Sequence, residues 1–252
     1  MYNMGMVFKD YFSGHSAEYA RSRPQYPPEL FEYLSSVAKE HEAAWDCGTG
    51  NGQAAVGLAP YFDRVIATDP SAGQLRNAFR NAKVTYKQAS AEDSGLNSAS
   101  VDLVAVAQAL HWFDTVRFFE EARRVLKPGG LVAVWAYTLC KVTPQVDTIV
   151  EDFYYNIVGP YWPPERRLVE EKYLTVAFPF DEFKAPPFTI NLDWTLSDMM
   201  AYLQTWSPVR RYLETHGTDP TELIAERLAD AWGEPHDRKH VVFPIEMRIG
   251  RS

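Results

Sequence analysis

Residues 45–53 read W-D-C-G-T-G-N-G-Q, with glycines at 48, 50 and 52. Glycine lets a backbone turn at positive φ and approach another group with no Cβ in the way. An apolar stretch precedes the turn at 43–46, and a helical pattern follows it at 53–60. The unit is a buried strand, a tight turn, and a helix whose first N–H groups stay free for a polar partner. A second strand over 64–69 ends on Asp69, 21 residues past Gly48. Further strands fall at 84–89, 101–107 and 131–135. Between them, Ser71 caps a helix through Leu75 and Phe79, and residues 116–126 form a helix that stops at K-P-G-G, 127–130. Five short apolar strands interleaved with helices predict a parallel sheet covered on both faces.

The flanking regions differ in character. Residues 1–40 form a polar arm and then a helix entered through Pro27 and Pro28, with Leu30, Tyr33, Leu34 and Val37 on one stripe. Residues 143–157, 165–174, 196–205 and 220–232 read as helices and 188–194 as a strand. Alternating apolar residues over 241–249 predict a final antiparallel strand, with a bulge or irregularity at Pro244. Aromatic residues are 14% of the chain, and fourteen of them fall in the sixty residues 153–212.

Composition excludes several classes. The chain has 252 residues, 46% of them apolar and 23% charged, as an ordinary globular protein has. No apolar run is long enough to span a membrane, and the N-terminus lacks a signal-peptide pattern. A net charge of −8 argues against nucleic acid as partner. Two cysteines, Cys47 and Cys140, make neither a disulfide framework nor a metal site, and suit a reducing, cytoplasmic compartment.

The turn narrows the ligand. A carboxylate at the end of a second strand suits the two hydroxyls of a ribose. The dinucleotide fingerprint requires a third glycine where Gln53 stands, and Asp46 just before the glycines would repel a pyrophosphate. An acid there suits a cofactor with a cationic amino-acid end, such as S-adenosylmethionine.

Asp46, Gly48, Gly50 and Gly52, then Asp69, Ala91-Glu92, the fourth strand, and R-V-L-K-P-G-G at 124–130 together resemble class I S-adenosylmethionine-dependent methyltransferases of type 11. The resemblance covers 41–137. Q-A-L-H-W-F-D at 108–114 and Y-A-R-S-R-P-Q-Y-P at 19–27 are similar to the trans-aconitate-methyltransferase-like subgroup. The resemblance implies a Rossmann-like seven-stranded α/β sheet, mostly parallel, in order 3-2-1-4-5-7-6 with strand 7 antiparallel, helices on both faces and an aromatic helical cap. It implies one domain over 1–252: arm and helix 1–40, cofactor-binding core 41–137, cap insertion 138–187, and the rest of the sheet with its helices 188–252.

Site residues carry over by position. The resemblance puts Asp46, Gly48, Thr49 and Gly50 at the methionine end of the cofactor and Asp69 at the ribose. It puts Pro70, Ser71, Ala91 and Glu92 around the adenine, and Gln108 near the sulfonium. The core motifs contain no cation for the cofactor carboxylate, so Tyr19 and Arg23 of the arm are expected there. His111 leaves a strand at the edge where ligands of open α/β sheets bind; base, hydrogen-bond donor and packing roles all stay open. Trp112, Trp162 and Trp206 are candidate walls of a substrate pocket, and Arg210 a candidate carboxylate clamp. Cys47, inside the turn with no nearby histidine, is not read as a nucleophile.

The function implied is methylation of a small molecule by in-line transfer that depends mainly on positioning; O-methylation of a carboxylic acid, which needs no base, is one form of it, and a phenol, amine or carbon acid that uses His111 stays open. No metal is expected, and both monomer and homodimer are open. A non-catalytic S-adenosylmethionine-binding protein and, more remotely, an NAD-type oxidoreductase are the alternatives.

Overall fold

A strand buried on both faces needs helices above and below it, and the central strands are of that kind. In the computed structural model, which describes residues 23–252, strands β1 (Ala43–Cys47) and β4 (Val101–Ala107) are buried almost throughout. They lie at the middle of an eight-stranded sheet with β2 (Arg64–Asp69), β3 (Val84–Gln88), β5 (Leu126–Tyr137), β6 (Asp181–Phe183), β7 (Phe188–Trp194) and β8 (Lys239–Arg251). The order is β3-β2-β1-β4-β5-β8-β6, with β7 also paired to β8. The first five strands run parallel, and β8 is antiparallel to β5, β6 and β7.

Helices α1 (Pro28–Val37) and α2 (Gln53–Leu58) cover one face through Leu30, Phe31, Leu34 and Leu58. Helix α4 (Thr115–Val125) covers the other through Phe118, Phe119, Ala122 and Val125, against Trp45, Val104 and Val134. Helix α3 (Ala72–Arg76) is a single turn, capped by Ser71, and ends before Phe79.

The sheet has eight strands where seven were expected. The extra one arises because the outermost position is shared by two short strands placed end to end along β8. β6 pairs with residues 249–251 and β7 with residues 239–245. Between them lie Pro186 and Pro187, which have no N–H to give the ladder.

Pro244 produces no bulge: the β7 register runs through it without a break, Thr189 facing Pro244. The Pro244 carbonyl accepts from Thr138 N at 3.2 Å. In an antiparallel strand a residue's N and O point the same way. The missing donor therefore faces the spent end of β5, not β7. The irregularity lies instead in the K-P-G-G segment, which belongs to β5 and is not a loop. Val101 pairs with Leu126 and Leu103 with Leu131, so the segment between bulges, with Gly129 at φ 74°.

The cap comprises α5 (Pro144–Asp152), a π-turn (Phe153–Ile157), α6 (Arg166–Glu170), α7 (Leu196–Gln204), α8 (Ser207–His216) and α9 (Ala225–Trp232). α6 is shorter than the expected 165–174, because Lys172 and Tyr173 turn left-handed, at φ 56° and 57°. α8 was not expected, although Pro208 in its first turn and Gly217 at its left-handed end are ordinary helix boundaries.

Candidate active site

The glycine turn is held by backbone. Gly48 N and Thr49 N both donate to Thr68 O at 2.9 Å. Gly48, Gly50 and Gly52 all have positive φ. A Cβ on Gly48 would lie 2.6 Å from Ala109 Cβ, and one on Gly52 2.1 Å from the Tyr86 hydroxyl. A Cβ on Gly50 would meet nothing within 4 Å, so the open approach to the turn is there.

Two carboxylates flank this opening. Asp46 is fully buried; its Oδ2 accepts from Thr49 Oγ1 at 2.5 Å, and its Oδ1 has no hydrogen-bond partner. Burial pushes its carboxyl up to about 7. Asp69 is tied by main chain: Gly50 N donates to Oδ2 at 2.9 Å and Ser71 N to Oδ1 at 2.8 Å. Pro70 accepts from Gln88 Nε2, Ala91 is buried, and Glu92 accepts from Asp114 N at 2.9 Å, joining the loop after β3 to the start of α4.

A cleft opens where β4 ends. Gln108 stands there at φ 54°, an uncommon angle for a residue with a side chain, and donates to Tyr137 O at 3.2 Å. His111 and Trp112 follow in a 3₁₀ turn, Leu110–Trp112. The far wall is Trp162, Arg166, Tyr202 and Trp206 from the cap, with Tyr137 and Arg23 at one side. The enclosed space is about 100 Å³. Trp206 is buried among Phe153, Tyr154, Tyr202 and Trp162.

The cleft has two cations and no carboxylate among its described residues. Arg166 donates from Nε to the Tyr154 hydroxyl at 2.8 Å and sits 4.8 Å over the Trp162 ring. Arg23 donates to the Tyr137 hydroxyl and to Thr205 O, both at 3.2 Å. His111 is buried, and burial, helped by the Arg166 charge, holds its imidazole down at about 3. It is neutral at physiological pH.

Arg210, expected at the substrate, does not line the cleft: it is exposed and reaches Glu214 at 3.2 Å, one helical turn on. Arg166 lines the cleft instead. Arg23, expected at the cofactor, lines the cleft with the cap residues. Tyr19 lies outside the described residues. Tyr137, Tyr202 and Arg166 were missed; Tyr137 ends β5 at the same sheet edge as Gln108, a signal the sequence did carry, whereas Tyr202 and Arg166 reach the cleft only through the folding of the cap.

A parallel sheet with this strand order, a glycine turn after β1 and an acid at the end of β2 make up the Rossmann-like fold of class I methyltransferases. A family model for a methyltransferase domain matches residues 45–134. A solved structure from Anaeromyxobacter dehalogenans, described as a type II methyltransferase, superimposes with a TM-score of 0.86 at 47% identity, covering 91% of this chain and 97% of that one. A Dictyostelium discoideum protein named as a methyltransferase is 34% identical over 252 residues, 97% of this chain and 96% of its own. A Saccharomyces cerevisiae protein named as an S-adenosylmethionine-dependent methyltransferase, CRG1, is 34% identical over 131 residues, 48% of this chain and 45% of its own. The chain belongs to the methyltransferase family and is an S-adenosylmethionine-dependent methyltransferase.

The residues present fit the cofactor. A buried carboxylate with one oxygen unpaired suits a cationic donor, and the open face of Gly50 admits a group against the backbone.

Proposed function

We propose that this enzyme methylates a small organic acid with an apolar or aromatic body, on a carboxylate oxygen. One observation carries the reading. In a chain of net charge −8, the cleft beside Gln108 has Arg23 and Arg166 among aromatic walls, and no described acid lines it. A guanidinium in a partly dry pocket is a strong carboxylate partner. The resemblance of 108–114 to the trans-aconitate-methyltransferase-like subgroup supports the same acceptor class.

S-adenosylmethionine, when bound, supplies an electrophilic methyl group on a sulfonium. Asp46, Gly48, Thr49 and Gly50 would hold its amino-acid end, Asp69 its ribose, and Pro70, Ser71, Ala91 and Glu92 its adenine, with Gln108 beside the sulfonium. We assign Arg23 to the acceptor side, because it lines the cleft, donates to Tyr137 and Thr205, and lies 5.7 Å over the Tyr202 ring. Tyr19 remains a proposed cofactor contact. Arg166 orients the acceptor carboxylate, and Trp112, Trp162 and Trp206 exclude water around its body. A carboxylate is already a nucleophile at neutral pH, so no base is required. Positioning of this kind can lower a barrier by roughly 7–11 kcal/mol.

The test is a panel of aliphatic and aromatic acids, phenols and amines incubated with methyl-labelled S-adenosylmethionine. Label released as methanol by alkali marks a methyl ester and is the expected product. Label confined to alkali-stable products of amines or phenols would overturn the proposal.

A further inference from the structure

His111 does not stand alone at the cleft. Its Nδ1 lies 3.0 Å from the Tyr173 hydroxyl, and both side chains are buried. Neither residue belongs to the sequence motifs of the cofactor turn. We propose that Tyr173 is a positioning residue that holds His111 in the Nε2–H tautomer, so that His111 offers the cleft a fixed hydrogen-bond donor and not a base.

The direction of the bond follows from counting donors. A buried phenol must place its own hydrogen on an acceptor. Among the described residues, Nδ1 of His111 is the acceptor within reach of Tyr173. Were Nδ1 protonated, it would be the donor, and the phenol hydrogen would be left with no acceptor among the described residues. Tyr173 therefore donates and Nδ1 accepts. A neutral imidazole then carries its proton on Nε2. Among the described residues Nε2 has no hydrogen-bond partner, and His111 lines the cleft. The charge facing the ring is Arg166, which opposes protonation to imidazolium.

The chain spends conformational strain on placing Tyr173. Lys172 and Tyr173 are consecutive left-handed residues, and neither is glycine. Tyr173 N closes the end of α6 on Leu168 O at 2.8 Å. From β8, Arg248 donates to Tyr173 O at 2.8 Å and to Val176 O at 2.7 Å, while it grips Glu182 with a two-pronged ion pair. Glu246 holds Lys172 at 2.6 Å. Two residues of one strand thus brace the turn that aims the phenol.

The consequence for the acceptor rests on the carboxylic-acid reading; the tautomer does not. The experiment is long-range ¹H–¹⁵N NMR of the full chain without ligand, with the His111 signals assigned by their loss in His111→Gln. The expected result is a protonated Nε2 and an unprotonated Nδ1, with that preference lost in Tyr173→Phe. Protonation at Nδ1 in the unsubstituted protein would overturn the proposal, and this result does not require the variant to fold. In turnover, Tyr173→Phe should raise the acceptor KM about two- to tenfold, with kcat and its pH profile little changed. His111→Gln, whose amide nitrogen can stand in for Nε2, should retain more activity than His111→Phe. Equal loss in both, with a wild-type rate that rises with His111 deprotonation, would instead make His111 the base. Sodium benzoate added to the NMR sample separates the two readings. If the tautomer is as proposed and benzoate leaves the Nε2–H signal unmoved, the carboxylate acceptor falls and the positioning role stands.

Discussion

Replacing Asp46 by Asn should make this protein more stable and a worse enzyme. Asp46 is wholly buried, and its Oδ1 has no partner. Burial raises its carboxyl from 3.8 to about 7. The unfolded chain ionises this group near pH 4, while the folded chain keeps the proton until about 7. Between those values the folded state holds more protons, so its stability falls as pH rises. A shift of about three units corresponds to a ceiling of about 4 kcal/mol at pH 8. Asparagine keeps an oxygen for the Thr49 hydroxyl and does not ionise. Urea denaturation of both proteins without ligand should show the variant ahead by only about 1 kcal/mol at pH 4.5. At pH 8 the variant should lead by about 2–4 kcal/mol, or roughly 4–16 °C in Tm for a chain of this size. Titration calorimetry at pH 8 should show S-adenosylmethionine binding at least tenfold weaker, given what a hydrogen bond to a charged group contributes. Wild-type affinity should decline below pH 7 as Asp46 takes up its proton, and the variant's should stay flat. A variant that is less stable than wild type at pH 8 would refute the argument, because it would mean that Asp46 is well paired in the folded chain.

Three other perturbations have defined outcomes. Gly48→Ala should cost at least 2 kcal/mol in denaturant melts, since the new methyl meets Ala109 and Phe113 at a positive φ, whereas Gly50→Ala should cost about 1–2 kcal/mol of backbone strain alone and lose cofactor affinity. Arg166→Ala should raise the acceptor KM about 10- to 100-fold and leave cofactor affinity unchanged, and Arg166→Lys should recover part of the loss. Glu121 is held down to about 2: burial opposes its charge, but Arg124 and Ser94 donate to it. Its folded value lies below the unfolded one, so its contribution is present above pH 4.5 and lost as pH falls toward 2; with Arg124 half in solvent, Glu121→Gln should cost about 1–2 kcal/mol at pH 7 and nothing near pH 2.

The cofactor half of the molecule was legible because its signals are local. The apolar runs at 43–47 and 101–107, the glycines between strand and helix, and the acid closing the second strand each occupy a few adjacent residues. The cleft is different. Arg166, Tyr173, Tyr202 and Arg23 come from four separate stretches, and only packing of the cap brings them near His111. The sequence pointed to Arg210 as a substrate cation, but its helix presents it to Glu214 and solvent, and the cations that line the cleft are Arg23 and Arg166. Pro186 and Pro187, by contrast, were a visible reason for the edge of the sheet to divide, and Pro208 and Gly217 were visible ends for α8.

The place of β8 has a bearing on how the chain comes to be folded at all. It follows the other described strands in sequence, yet it lies between β5 and the two short strands β6 and β7. Until residues 239–251 emerge from the ribosome, β5 has a bare edge and β6 and β7 have no strand to join. Much of the cap, and the turn that Arg248 braces, must wait with them. The nascent chain therefore carries an unpaired, strongly apolar sheet edge from the completion of β5 until β8 is made, a template for pairing with other chains. A nonsense change upstream of Lys239 would leave that edge permanently open, with aggregation as its expected outcome in place of a shortened enzyme.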